Sequence, residues 1–218
     1  MKNTLVIGSK NYSSWSLRAW LVARKAGLEF DELKLDLDTP EFDARIGNLS
    51  PSRTVPALHL GDEVIWDSLA IADVIADRMP HAGLWPDDGT RRAFARCISA
   101  EMHSGFPALR SEMPMNCRAR GRLLAPSERA VGDVARVLAI WDECAERFGH
   151  LDGGLVGGFT IADAMYAPVA SRFLTYGVEL TPAAQRFVDF IHADPDMQQW
   201  QAAAEAETQV LPHEEKGG

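Results

Sequence analysis

The densest set of chemically useful side chains lies near the start of the 218-residue chain, in Tyr12-Ser13-Ser14-Trp15-Ser16-Leu17-Arg18. These residues follow the apolar run Leu5-Val6-Ile7-Gly8 and open a stretch where Leu17, Trp20 and Leu21 recur at helical spacing. A strand that passes through a polar turn into a helix makes an anion site. Free backbone N–H groups and the positive end of the helix dipole converge there. Hydroxyls at the same place donate hydrogen bonds to a thiolate or a carboxylate. The competing reading is structural, because a serine just before a helix is a common N-cap. This stretch alone leaves both readings open.

The elements around it follow from apolar spacing. Thr4–Ile7 reads as a strand and residues 14–26 as a helix stopped by Gly27. Phe30–Leu37 alternates apolar with polar residues, which predicts a second strand. Pro40–Ile46 suits a short helix, and Gly47–Arg53 a loop. Val55–Leu60 and Glu63–Trp66 flank Gly61-Asp62, a turn signal that predicts an antiparallel hairpin. Ser68–Asp77, with Ile71, Val74 and Ile75 on one face, is a further helix. The order βαβαββα is that of a thioredoxin-like unit, and no glycine-rich nucleotide or phosphate loop accompanies it.

The character changes after Met79–Gly89, which carries two prolines and two glycines and reads as a linker. Strand signals then nearly vanish. Arg91–Glu112 is helical, bent or broken near Gly105 and Pro107. Ser127–Phe148 carries the stripe Val131, Val134, Leu138, Trp141, Ala145 and Phe148, expected to face the core. Thr160–Tyr176, Pro182–His192 and Asp196–Ala206 complete a helical bundle. In Thr160-Ile161-Ala162-Asp163 the threonine and the acid three residues on form a capping box, a structural device rather than a catalytic one. The expected domains are therefore 1–79, a linker at 80–89, an all-α domain at 90–210, and a charged tail at 211–218 expected to be disordered.

Composition narrows the function. Apolar residues make up 46% and charged residues 24%, ordinary for a globular protein. The net charge of −9, with no clustered Lys/Arg among aromatics, argues against nucleic acid as a partner. No apolar run reaches the roughly 18 residues of a membrane helix, and Met1-Lys2-Asn3 leads into too short a run for a signal peptide. The cytoplasm is the expected location. Cys97, Cys117 and Cys144 lack the spacing of a zinc site and are expected as buried or partly buried free thiols, so no metal is expected.

Taken together, the motifs resemble those of the cytosolic glutathione transferases over nearly the whole length. The carriers are Ser13-Ser14-Trp15-Ser16-Leu17-Arg18, Val55-Pro56-Ala57-Leu58, Asp67-Ser68, and Gly158-Phe159-Thr160-Ile161-Ala162-Asp163 within a helical second half. The serine-rich turn is most similar to the zeta and tau classes. The resemblance implies an enzyme that uses glutathione as co-substrate, without a metal, and forms a homodimer.

The resemblance also implies roles. The active serine of these classes lies five positions before the arginine of the first helix, which is Ser13 here. Ser14 is a second donor or the helix cap, and Tyr12 a rival donor. Val55, before a cis-proline at Pro56, would present its backbone to the cysteinyl part of glutathione. Ser68 would hold the γ-glutamyl carboxylate and Asp67 the ammonium of that end; the competing reading of Asp67-Ser68 is a plain helix cap. Thr54 stands where glutamine or lysine is usual and Asp67 where the longer glutamate is usual; Arg53 would replace the missing contact, the competing reading being an exposed loop arginine with no ligand. A free thiol has a pKa of about 8.5, which a hydroxyl hydrogen bond and a helix N-terminus lower. Serine cannot form a mixed disulfide, so the thiol exchange of cysteine-bearing relatives is disfavoured.

The electrophile is expected between the two halves, against Met102, His103, Phe106 and Arg110, whose spacing suggests one helix face. Arg110 and His103 suit an acidic or carbonyl substrate there. The alternative is that the apolar pair is core and the polar pair solvated. The main expectation is thus a transferase acting through Ser13. The runner-up is a zeta-like isomerase of the maleylacetoacetate type, although Trp15 stands where the zeta motif has cysteine. A non-catalytic binding or assembly protein on the same fold is the third reading.

Overall fold

The computed structural model describes residues 3–218, so Met1 and Lys2, where the signal-peptide argument begins, lie outside the described residues. Four strands form one sheet, β1 (Thr4–Ile7), β2 (Asp31–Lys34), β3 (Ala57–Leu60) and β4 (Glu63–Trp66), in the order β2-β1-β3-β4. β1 runs parallel to β2 and antiparallel to β3, and β3 and β4 form the hairpin about Gly61-Asp62. With α1 (Ser14–Lys25), α2 (Pro40–Leu49) and α3 (Ser68–Arg78) interleaved, this is the thioredoxin-like order.

β2 is shorter than its alternation suggests. Its partner β1 offers only Thr4–Ile7, and the ladder closes with Leu35 N–H donating to Ile7 C=O at 2.9 Å. Helix α2 instead runs past the expected Ile46 to Leu49, where Ser50 N–H still bonds Ile46 C=O. α1 and α3 pack together, and Val6, Leu35, Ile46 and Ala57 form a small separate core with Phe42 and Val55 beside it.

Six helices follow: α4 (Gly89–Ser104), α5 (Pro107–Glu112), α6 (Glu128–Phe148), α7 (Ile161–Tyr176), α8 (Pro182–Ala193) and α9 (Pro195–Ala206). Nearly every residue of α7 is buried, and it packs on both α1 and α4. One continuous apolar core therefore runs from Leu5 and Trp20 to Trp141, Phe173 and Trp200. The capping box at the start of α7 is formed: Thr160 donates from its N–H and Oγ1 to Asp163 Oδ2 at 2.7 and 2.8 Å.

Three expectations need correction. The fully buried positions of α6 are Ala130, Val137, Ile140, Trp141 and Cys144; of the expected stripe Trp141 is among them, Val134, Leu138, Ala145 and Phe148 are half-buried and pack against the core, and Val131 is exposed. Cys97 is exposed, while Cys117 and Cys144 are buried and free. The helical stretch over 91–112 is broken where expected, at Gly105–Phe106. A side chain at Gly105 would meet Glu101 C=O at 2.7 Å, and Phe106 takes left-handed backbone angles (φ 60°, ψ 46°). Finally, the charged tail is seated rather than disordered. Glu215 accepts hydrogen bonds from Tyr12 Oη at 2.6 Å and Asn116 Nδ2 at 2.9 Å, and pairs with Arg122. Ion pairs and hydrogen bonds to positions about 100 and 200 residues away hold it.

Candidate functional site

Two adjoining cavities of about 320 and 280 Å³ lie over the N-termini of α1 and α3, with Trp15, Thr54 and Val55 as their common wall. The larger is bordered by Ser13, Ser14, Arg53, Arg110 and Arg172, and the smaller by Pro56, Asp67, Ser68 and His103.

The larger cavity is built on the turn before α1. Ser13 is the N-cap of that helix: its Oγ accepts from Ser16 N–H at 3.3 Å. The Ser13 hydroxyl proton is also engaged, donated to Ser16 Oγ at 2.7 Å, and Ser16 Oγ in turn accepts from Gly8 N–H at 3.0 Å. Ser14, the first residue of α1, accepts at its Oγ from Arg172 Nη2 at 3.3 Å. The Tyr12 hydroxyl is taken up by Glu215 and by Arg118, which donates to it at 2.8 Å. Burial, and next the Glu215 hydrogen bond, raise the Tyr12 pKa, so it stays a neutral phenol.

The other wall comes from the loop into β3. Val55–Pro56 is a cis peptide, and the two residues before it shape the same rim. Arg53 borders the larger cavity with left-handed backbone (φ 59°), and Thr54 Oγ1 sits 2.7 Å from Ser52 Oγ.

The smaller cavity ends at α3. Asp67 caps that helix, with Oδ1 accepting from Leu69 and Ala70 N–H at 2.9 and 3.1 Å, while its Oδ2 lies 3.1 Å from His103 Nε2. The His103 pKa is lowered, chiefly by burial and further by Arg18 and Arg110, against the pull of Asp67. Ser68 is 1% exposed and its Oγ has no partner. A buried hydroxyl without a partner is uncommon in a folded protein, and this one borders the smaller cavity.

The four residues expected against the electrophile are separated. Met102, on the buried face of α4, and Phe106, just past the end of that helix, both belong to the apolar core. His103 serves the smaller cavity, and Arg110 the larger. Arg110 is tied to the end of α4 through the carbonyls of Met102, His103 and Gly105. Its guanidinium lies 4.5 Å from the Trp15 ring centroid; Arg18, which is fully buried, approaches the same ring at 4.5 Å. Trp15 is thus held by two cations.

Arg172 is the residue that sequence reasoning missed. It is 4% exposed, with Nε donating to Met113 C=O at 2.9 Å and Nη1 without a partner. Burial, and then the neighbouring Arg110, draw its pKa down to about 10, so it is still charged at neutral pH. The available signal was its isolation: between Ile161 and Tyr176 only Asp163 and Arg172 carry charge. Among the described residues, no group of three or more His, Cys, Asp or Glu is placed to hold a metal, and no helix is long and apolar enough to cross a membrane.

A family model for the glutathione S-transferase N-terminal domain matches residues 12–78, and one for the C-terminal domain of the same family matches residues 125–203. Together they cover more than half of the chain. The chain belongs to the glutathione transferase family. A crystal structure of a glutathione transferase homologue from a Burkholderia, with bound glutathione, superposes with a TM-score of 0.71 at 26% identity, covering 95% of this chain and 100% of that one. A glutathione transferase from Methylococcus capsulatus superposes at 0.72 with 23% identity, over 93% and 98% of the two chains, and shares the fold. A probable maleylacetoacetate isomerase of Caenorhabditis elegans is 31% identical over 96 residues, 44% of each chain. Glutathione S-transferase 3 of Zea mays is 29% identical over 69% of this chain and 70% of its own. The chain spans less than half the length of the maleylacetoacetate isomerases it matches.

Proposed function

We propose that the joined cavities bind glutathione and that the chain is a glutathione transferase acting on a small electrophile. The sulfur is assigned to the N-terminus of α1, which Ser13 caps; the cysteinyl backbone to Val55; and the γ-glutamyl end to Asp67 and Ser68. One observation carries the reading: the serine turn and the unpartnered Ser68 hydroxyl open on adjoining cavities divided by one wall, Trp15 with Thr54 and Val55. Each end is a helix N-terminus, which favours an anion, thiolate at one and carboxylate at the other.

The chemistry follows from the charge. The thiol proton leaves for solvent, and the helix N-terminus with a hydroxyl hydrogen bond stabilises the sulfur anion that remains. The sulfur then forms a bond to the electrophilic carbon, and either a leaving group departs or a double bond takes up a proton. In this reading residues 1–79 hold glutathione, and 90–210 supply Arg110 and Arg172 beside the electrophile. The protein is proposed to work as a homodimer in the cytoplasm.

A second reading, glutathione-dependent cis-trans isomerisation, is favoured by the relatives named maleylacetoacetate isomerase. It uses the same thiolate, which adds to a double bond and departs again after rotation. A non-catalytic binding protein is the remaining reading. The deciding experiment is an ultraviolet difference titration of glutathione with the protein at neutral pH. A thiolate band supports an activated sulfur, and turnover of maleylacetoacetate against aryl halides then separates the two enzymes. Saturable binding with no thiolate band at any pH below that of free glutathione refutes both enzyme readings.

A further inference from the structure

Resting on the glutathione reading above, we infer that the hydrogen bond to the sulfur comes from Ser14 and not from Ser13, and that Arg172 is the residue that positions and polarises the Ser14 hydroxyl. A hydroxyl has one proton. Ser13 gives its proton to Ser16 Oγ at 2.7 Å and accepts from Ser16 N–H on the same oxygen, so it is spent inside the helix cap. The third hydroxyl of the turn, Tyr12, is bound to Glu215 and Arg118. Ser14 differs from both. Its Oγ accepts from Arg172 Nη2 at 3.3 Å and borders the larger cavity, while its own proton is engaged by no acceptor among the described residues.

The buried arginine makes this more than a leftover. Arg172 is buried and held from behind by the Met113 carbonyl, which its Nε donates to at 2.9 Å while Nη2 faces Ser14. An N–H donated into a hydroxyl lone pair turns the hydroxyl proton to the opposite side, and it strengthens that proton as a donor, since bonds in series polarise one another. Arg172 Nη1 has no partner, and Arg110 lies close enough to repel it. The buried Arg172 and the half-buried Arg110 are two cations on this cavity, against the single carboxylate of Glu214 on its rim, and that balance beside a free hydroxyl favours a further negative charge, which a thiolate satisfies. Ser14 would be the residue in contact with sulfur. Arg172, acting through it, is a positioning residue.

The test is the pH titration of the thiolate band of bound glutathione in wild type and variants, each checked for folding by near-ultraviolet circular dichroism. A hydrogen bond to a charged group corresponds to roughly ten- to a hundredfold in the ionisation constant. Ser14→Ala is expected to lose that much thiolate at neutral pH, and Ser13→Ala to keep the wild-type thiolate pKa while melting at a lower temperature. Ser14→Thr and Ser14→Val, equal in shape and differing by the hydroxyl, guard against a folding effect: the first should retain the band and the second lose it. Arg172→Gln should raise the thiolate pKa alone but add nothing to Ser14→Ala, because it acts through the same hydroxyl. Loss of the band in Ser13→Ala with retention in Ser14→Val overturns the inference, as do additive effects of Ser14→Ala and Arg172→Gln. Equal bands in Ser14→Thr and Ser14→Val overturn it too while leaving the glutathione reading intact. Bound glutathione with no thiolate in wild type overturns the activation reading, and this inference with it.

Discussion

Ser68 gives a test in which stability and binding move in different directions. Its hydroxyl is buried without a partner at the first turn of α3, so the folded protein carries the desolvation cost of that group, about 1–3 kcal/mol. Ser68→Ala removes the cost and leaves a residue well suited to a helix interior. The variant should therefore be as stable as wild type or more so. A gain of about 1 kcal/mol corresponds to roughly 2–4 °C in a chain of this size. Glutathione binding should suffer, because a hydrogen bond to a carboxylate contributes about 1.5–3 kcal/mol. At 1.4 kcal/mol per decade, that is a Kd raised about ten- to a hundredfold. Calorimetric titration with glutathione, beside a thermal melt, reads both quantities on one preparation. A variant that melts several degrees lower while binding glutathione as wild type does would refute the reasoning. Ser68 would then be a structural residue, and the smaller cavity would not hold the γ-glutamyl end.

Other perturbations test the rest of the frame. Asp67→Ala removes a cap that holds two N–H groups of α3 and places a non-glycine residue without that compensation at φ 73°, so urea unfolding should show a loss of at least about 0.5–2 kcal/mol, together with weaker glutathione binding. Asp163→Ala opens the capping box and strips Leu155 N–H and Thr160 of their acceptor, and should cost about 2 kcal/mol or more. Burial raises the Asp163 carboxyl to about 6, above its ordinary value of 3.8, so this group favours the folded state most below pH 3.8 and loses that advantage as pH rises toward 6; Asp163→Asn should flatten stability over that window, read by urea unfolding at stepped pH. For His103 the sign is reversed. Burial lowers its pKa, so its contribution is complete above the unfolded value of about 6.5 and is lost as pH falls below it, and His103→Gln should remove that acid-side decline. Glu215→Ala releases the Tyr12 hydroxyl, and spectrophotometric titration should then find the Tyr12 phenol ionising at lower pH.

How much of this was legible in the chain depended on the range of the interactions involved. The strands and hairpin could be read because side chains alternate with a period of two and Gly61-Asp62 marks the reversal, both local signals. The helix break at Gly105 and Pro107 was legible for the same reason, yet its consequence was not. Treating Met102, His103, Phe106 and Arg110 as one face presumed a continuous helix, whereas Met102 sits on the buried face of α4 and Phe106 joins the core from the left-handed break after it. The stripe of α6 was read in part: all of it but Val131 packs in or against the core, but its packing partners, α5 and α8, bury Val137, Ile140 and Cys144 most deeply, and spacing alone did not single these out. The tail read as disordered on composition, which is blind to an acceptor at Glu215 that meets Tyr12 across 203 positions.

For the site, the sequence by itself determined the positions of the chemistry: the serine turn before α1, Val55-Pro56, and Asp67-Ser68 before α3, since helix caps and turns are set by neighbours in the chain. Only the tertiary structure decided which groups are free to act. Ser13 is spent locally, as the cap of α1 three residues from Ser16, but Tyr12 is held by the tail, and Arg172, 158 positions beyond Ser14, is brought against its hydroxyl by the packing of α7 on α1. A hydroxyl's proton goes to whichever acceptor lies nearest, and for Tyr12 and Ser14 the neighbours that decide this come from segments distant in the chain.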